Sequence, residues 1–181
     1  SAVSAYKFNP NIPKFVNAVI GHTRHSTQGD KNKNYNNHPW SEMVKNCQFA
    51  LAHNGVLFND KELQKKYNLK SKIETDSFVA VQLLKYKNAL NFKTIKFMAE
   101  SIEGSFSFNI LDNQNNLYLV KGDSPISLIH FKDKGVYVFA STKQILWKAL
   151  VDSELFQDLE NGKYEHIVLN EGDILKIKSN G

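Results

Sequence analysis

From Gly104 onward the apolar residues fall on every second position, and this alternation limits the fold more than any other feature of the chain. Phe106, Phe108 and Ile110 alternate with Ser105, Ser107 and Asn109. A period of two belongs to a strand with one buried face. The polar stretch 112–116 then predicts a turn, with residues 117–121 pairing back as a hairpin. Residues 126–131 and 136–140 predict a second hairpin across Asp133-Lys134-Gly135, and residues 167–169 with 174–177 a third across Asn170-Glu171-Gly172-Asp173.

Upstream the period changes to that of helices. Asn59 or Asp60 caps a short one over residues 61–67. Thr75 or Asp76 caps a longer one that buries Phe78, Val81 and Leu84. Asn91 caps a third carrying Phe92, Ile95, Met98 and Ile102. Between the hairpins, Ser141 or Thr142 caps a helix with Ile145, Leu146 and Leu150. Residues 17–23 read as a buried strand, and residues 47–52 as another that ends at His53. Residues 1–15, with Pro10 and Pro13, read as a loosely ordered lead-in, and residues 30–37 as a polar loop closed by His38-Pro39-Trp40. Hairpins with helices grouped between them predict a mainly antiparallel α+β domain. No repeat or internal boundary divides it, so residues 1–181 read as a single domain.

Length and charge narrow the function classes. A chain of 181 residues can build one full core. It has no apolar run long enough to span a membrane. Its net charge of +5 would admit a nucleic-acid partner. The lysines are spread along the whole sequence, however, and nothing gathers them with aromatic residues on one face. The lone cysteine, Cys47, excludes an internal disulfide and suits a reducing, cytoplasmic compartment.

Polar groups that could do chemistry gather in three places. Gly21-His22-Thr23-Arg24-His25-Ser26-Thr27-Gln28-Gly29 follows a short apolar run and sets an arginine, histidines and hydroxyls between two glycines. The fork of Arg24 matches a carboxylate, Thr27 could add a hydroxyl to the same group, and Asp76 suits an ammonium. Together they would recognise both ends of an α-amino acid. The same residues also suit a surface arginine and a helix cap. Asn54 and Gly55 could donate together to a developing oxyanion. Asn-Gly between two apolar runs is equally the mark of a tight hairpin turn. His22, His25, His38 and His53 lack the cysteine or paired carboxylate that would complete a metal site. Cys47, on a strand with no local base, reads as a small buried hydrophobe.

In this order the clusters resemble the glutaminase domain of class II glutamine amidotransferases, an N-terminal-nucleophile hydrolase family. Residues 21–29 resemble its GHTR-x-[AS]-T-x-G stretch, and Asn37-His38-Pro39 its N-x-HP loop. Ala52-His53-Asn54-Gly55-Val56 is similar to its HNG motif, and Glu74-Thr75-Asp76-Ser77 to its ETD[ST] helix start. Glu103-Gly104-Ser105-Phe106, Gly122-Asp123-Ser124-Pro125, Phe139-Ala140-Ser141 and Glu171-Gly172-Asp173-Ile174 follow in register. The pattern resembles most the amidotransferases that make glucosamine 6-phosphate.

The resemblance implies an αββα four-layer sandwich of two mainly antiparallel sheets. It implies glutamine hydrolysis through a thioester, with ammonia passed to an acceptor synthase domain or subunit, and it implies no cofactor. Arg24 and Thr27 would bind the glutamine carboxylate and Asp76 its amino group. Asn54 and Gly55 would form the oxyanion hole. His53 would stand with the substrate-binding residues, and His38 would support them. The family's nucleophile is an N-terminal cysteine, whereas this sequence starts Ser1-Ala2-Val3 and has nothing like the family's first strands. The expectation is therefore a domain lacking that N-terminal segment, inactive as it stands and active in a parent that begins with cysteine. The alternative expectation is a module that binds glutamine or another amino acid, or docks a partner, without turnover.

Overall fold

The computed structural model describes residues 16–23, 29–30, 32–45 and 47–179. Five strands, Trp40–Val44 (β1), Cys47–Leu57 (β2), Gly104–Asp112 (β3), Leu117–Lys121 (β4) and Ile174–Ile177 (β8), form one antiparallel sheet in the order β1-β2-β3-β4-β8. A second antiparallel sheet sets Ser127–Phe131 (β5) between Val136–Ala140 (β6) and Glu165–Ile167 (β7). The helices are Asp60–Lys66 (α1), Phe78–Lys87 (α2), Phe92–Ser101 (α3), Lys143–Leu150 (α4) and Phe156–Glu160 (α5).

Side-chain alternation explains why these elements stack in layers. On β4, Leu117 and Leu119 point one way and Tyr118 and Val120 the other. The first pair meets Leu128 of β5, with Leu175 and Ile177 of β8 beside them, so this core lies between the two sheets. The second pair joins Phe108 and Ile110 of β3 against Val81, Leu84, Ile95 and Met98 of α2 and α3. On the far side, Ile129 and Phe131 of β5 pack on Leu146, Leu150 and Leu159 of α4 and α5. The result is helices, sheet, sheet, helices. Each fully buried Leu or Ile removed from water contributes about 2 kcal/mol, so the three contiguous cores hold the layers together.

Local signals in the sequence set several boundaries. Asn91 caps α3 by accepting from the Thr94 N–H, while the Thr94 hydroxyl takes the Asn91 N–H in return. Thr142 caps α4 by accepting from Ile145 N–H. The hairpins β3–β4 and β5–β6 form as their alternation predicts.

Other expectations are corrected. Residues 17–23 form no strand: Val19 is 56% exposed, and only Ile20 reaches the inter-sheet core. The strand expected over 47–52 continues through His53-Asn54-Gly55 to Leu57, because β3 pairs with it along the whole length. Residues near 167 and 174 form no hairpin, since β7 and β8 belong to different sheets and the Asn170–Asp173 segment crosses between them. Asn59 does not cap α1 through its side chain, which instead bonds Ser101 and Glu103. The lead-in 1–15 lies outside the described residues.

Candidate functional site

The site begins with the unequal lengths of β1 and β2. Their register closes with Val44 opposite Cys47, so the odd-numbered residues of β2 turn their N–H and C=O groups toward β1. β1 starts at Trp40, opposite Leu51. Beyond that point His53, Gly55 and Leu57 aim their N–H groups where no described strand lies, about 7 Å apart along the chain. Side chains meet two of these groups. His53 N–H donates to His38 Nδ1 at 3.2 Å, and Leu57 N–H donates to Asp76 Oδ2 at 2.6 Å. Between them the Gly55 N–H meets no side-chain or loop acceptor among the described residues.

Gly55 is also where β3 comes closest to the β2 backbone. Its φ is +140°, and a Cβ there would lie 2.0 Å from the Ser105 carbonyl oxygen. Val56 N–H also reaches Ser105 Oγ at 3.2 Å, and His53 Nε2 stands 3.3 Å from the carbonyl oxygen. Asn54 is half-buried and shares its face of the sheet with Ala52, Ser107 and Asn109, turned toward the second sheet. The Asn54 carboxamide makes no hydrogen bond to a described residue. On the same face Asn109 Oδ1 is buried without a partner among the described residues, as is Ser127 Oγ at the start of β5, whereas the β4–β8 end of the inter-sheet space is apolar.

The stretch Glu74-Thr75-Asp76-Ser77, just before α2, connects these pieces. Glu74 accepts from Asp30 N–H, Asn36 Nδ2 and the Lys33 ammonium, and its own N–H donates to Asn36 Oδ1. These contacts hold the Glu74 carboxyl down at a pKa of about 2 and fix the loop 29–37 against the start of α2. Asp76 is 3% exposed and occupies the β2 edge rather than capping the helix. The Ser77 hydroxyl lies 2.7 Å from His53 Nδ1 and 3.3 Å from Asp76 Oδ1.

His53 is 1% exposed and stacks on Phe108. Burial disfavours its charged form and lowers its pKa to about 4, against the smaller pull of the Asp76 charge. The ring is therefore neutral at pH 7. The Ser105 carbonyl can only accept, so Nε2 carries the proton and Nδ1 accepts from the Ser77 hydroxyl. His22, His38 and Trp40 stack in a column, with centroids 3.7 and 4.6 Å apart, that ends edge-on against Phe78.

Of the residues singled out in the sequence, the structure brings Asn54, Gly55, Asp76, His38 and His53 together at the open edge of β2. Arg24 and Thr27 lie outside the described residues, with His25, Ser26 and Gln28. The described chain on either side of them, His22-Thr23 and Gly29-Asp30, is held by the His22 stack and the Glu74 contacts. The Asn54-Gly55 pair makes no hairpin turn; it lies within β2. His53 sits behind the strand, with both ring nitrogens engaged by the protein. Cys47 is eight residues from Gly55 on the same strand, about 26 Å away, and burial pushes its thiol pKa up. Sequence reasoning missed Glu74, Ser77 and Ser105 as site-building residues. Each stands in a quoted motif, but what each one does depends on partners far away in the chain. Among the described residues no group of three or more His, Cys, Asp or Glu side chains could hold a metal.

Comparison with known proteins places this geometry. A model of the glutamine amidotransferase domain matches residues 22–148, and the chain belongs to that family, in its class II, N-terminal-nucleophile branch. Among its relatives is the amidophosphoribosyltransferase of Methanothermobacter thermautotrophicus, 32% identical over 88% of this chain and 35% of that protein. Another is the glutamine–fructose-6-phosphate aminotransferase of Staphylococcus aureus, 34% identical over 60% of this chain and 19% of its own length. The chain also resembles the solved glutamine phosphoribosylpyrophosphate amidotransferase of B. subtilis, with a TM-score of 0.64 at 22% identity, over 88% of this chain and 32% of that one. That likeness concerns the fold, which is the mixed α/β, two-sheet architecture expected. This chain spans between about a fifth and a third of the length of these relatives. No described helix is long and apolar enough to cross a membrane.

Proposed function

We propose that this chain is the glutamine-holding domain of a glutamine-dependent amidotransferase. The edge of β2 beyond β1 carries the reading: one backbone N–H, that of Gly55, stands between an imidazole and a carboxylate, beside a carboxamide without a partner among the described residues. Glutamine fits that arrangement. Its ammonium would approach Asp76, whose carboxylate oxygens retain lone pairs beyond the one used by Leu57 N–H. Its carboxylate would lie on Arg24 and Thr27, in the loop that the His22 stack and Glu74 anchor at its two ends. Its side-chain carbonyl would then reach the Gly55 N–H and the Asn54 amide.

Thiolate addition to that carbonyl forms a C–S bond and moves the π electrons onto oxygen. Two donors set before the reaction stabilise the resulting charge without reorganising. Collapse expels the amine, which leaves as ammonia once protonated, and water then hydrolyses the thioester to glutamate. Cys47 stands too far along β2 to serve, so the thiol in this scheme comes from outside the 181 residues. The ammonia goes to an acceptor domain or partner. A non-catalytic binding module would share the same pocket and would differ only in lacking the thiol.

Isothermal titration of glutamine and glutamate into the 181-residue chain tests the reading. Glutamine should bind, and Arg24→Ala should abolish binding. Asp76→Asn keeps an oxygen for Leu57 N–H but removes the charge. It should weaken binding about tenfold or more, the scale of a charge-assisted contact, while leaving the fold intact. Binding unchanged in both variants would overturn the assignment of these residues.

A further inference from the structure

We infer that Ser77 is a positioning residue: by donating its hydroxyl to His53 Nδ1 it fixes the imidazole as a backstop for the Ser105 carbonyl, and so holds the Gly55 N–H aimed at the open edge of β2. The inference rests on the proposed glutamine site for its consequence in turnover, but not for its geometry.

Val56 pairs with Ser105 in the β2–β3 ladder, and its N–H also reaches Ser105 Oγ at 3.2 Å. His53 Nε2 stands 3.3 Å from the Ser105 carbonyl oxygen. That carbonyl presses against the Cα of Gly55: an added Cβ would lie 2.0 Å from its oxygen and 3.0 Å from His53 Nε2, and the Gly55 φ of +140° accommodates both. The imidazole therefore backs the Ser105 carbonyl and packs against Gly55 itself. With its proton on the other nitrogen the ring would face that oxygen with a second acceptor in place of a donor. Relief of that repulsion would turn Gly55.

The imidazole can do this only as the Nε2–H tautomer, because the Ser105 oxygen only accepts. A neutral histidine has one proton to place, and the partner of the other nitrogen decides where it goes. His53 Nδ1 faces the Ser77 hydroxyl at 2.7 Å, closer than that hydroxyl lies to Asp76. A donor there selects the tautomer that the Ser105 carbonyl needs. Asp76, on the adjacent residue, holds Leu57 N–H. The two neighbouring residues 76 and 77 thus set the β2 edge on both sides of Gly55, one directly and one through His53.

The test is nuclear magnetic resonance on the ¹⁵N-labelled 181-residue chain without ligand, recording the His53 ring nitrogens and the Gly55 and Val56 amides at neutral pH. In the unmodified chain His53 should be neutral, with the proton on Nε2 and Nδ1 shifted as a hydrogen-bond acceptor. Ser77→Ala should let the proton reach Nδ1, moving that resonance upfield, and displace the Gly55 and Val56 amide signals. Ser77→Thr, which restores a hydroxyl, should return all of them toward the original positions. A proton on Nδ1 in the unmodified chain would overturn the inference. So would Gly55 and Val56 signals that do not move in Ser77→Ala, or a threonine variant that behaves as alanine does. Should the alanine variant not fold, the tautomer in the unmodified chain and the threonine variant still decide. Glutamine enters none of these readings, so a failure to bind it would count against the proposed function and leave this inference standing.

Discussion

Gly55 occupies a backbone position that only glycine adopts without strain, and an added methyl group would meet the Ser105 carbonyl at 2.0 Å. Gly55→Ala should therefore destabilise the fold by about 2–4 kcal/mol, read from urea unfolding, since neither clashing partner is a movable side-chain tip. His53 gives a second prediction at this scale. Its pKa is about 4 in the folded chain and 6.5 ordinarily, so between these values the unfolded chain binds more protons. Stability should be full above pH 6.5 and fall as pH drops toward 4, by up to about 3 kcal/mol from this group. Replacing His53 with glutamine should flatten that part of the pH–stability curve, as measured by unfolding at a series of pH values. The role of the Asn54-Gly55 pair was open in the sequence for a physical reason. Asn-Gly is as well suited to a tight turn as to presenting two donors, and only the reach of β3, fifty residues away, keeps it inside a strand.

Among the elements, the four residues 74–77 carry more of the site than their length suggests. Glu74 ties the loop 29–37 to α2, Asp76 finishes the β2 edge, and Ser77 meets His53. Glu74→Gln should loosen the loop and speed amide hydrogen exchange at Asp30 several-fold, while α2 and the sheets keep their protection. The same clamp should weaken in acid. The Glu74 carboxyl is held below its ordinary value of 4.5, so its contribution is present above that pH and is lost as pH falls toward about 2. Helices and hairpins with strong local signals were legible: Asn91 and Thr142 cap as their chemistry suggests, and β3–β4 follows its alternation. Elements that depend on distant partners were not. β1 has a pattern too short and mixed to declare itself, and it exists because β2 offers an edge. Residues 17–23 have an apolar run but pair with no described strand. The charge on Asp76 looked like a cap, but an unpaired N–H from another element claimed it.

At the scale of the whole molecule, two antiparallel sheets packed face to face create one space that is apolar at one end and polar at the other. The apolar end, around Leu119, Leu128 and Leu175, was legible from alternation alone. The polar end was legible only in part, because Asn54, Ser107 and Asn109 look like outward-facing residues until the second sheet covers them. We propose that end, with the adjoining edge of β2, as the place where glutamine is held. The most direct measurement is to titrate glutamine into the ¹⁵N-labelled 181-residue chain and follow every backbone amide. The account predicts progressive shifts at Gly55 and Val56 and at Asp76 and Ser77, absent when Arg24 is replaced by alanine. Shifts confined elsewhere, for instance to the cleft of about 420 Å³ between α3 and the β4–β8 edge that Lys96, Glu100 and Ile174 help to line, would contradict it, as would no shift at millimolar glutamine.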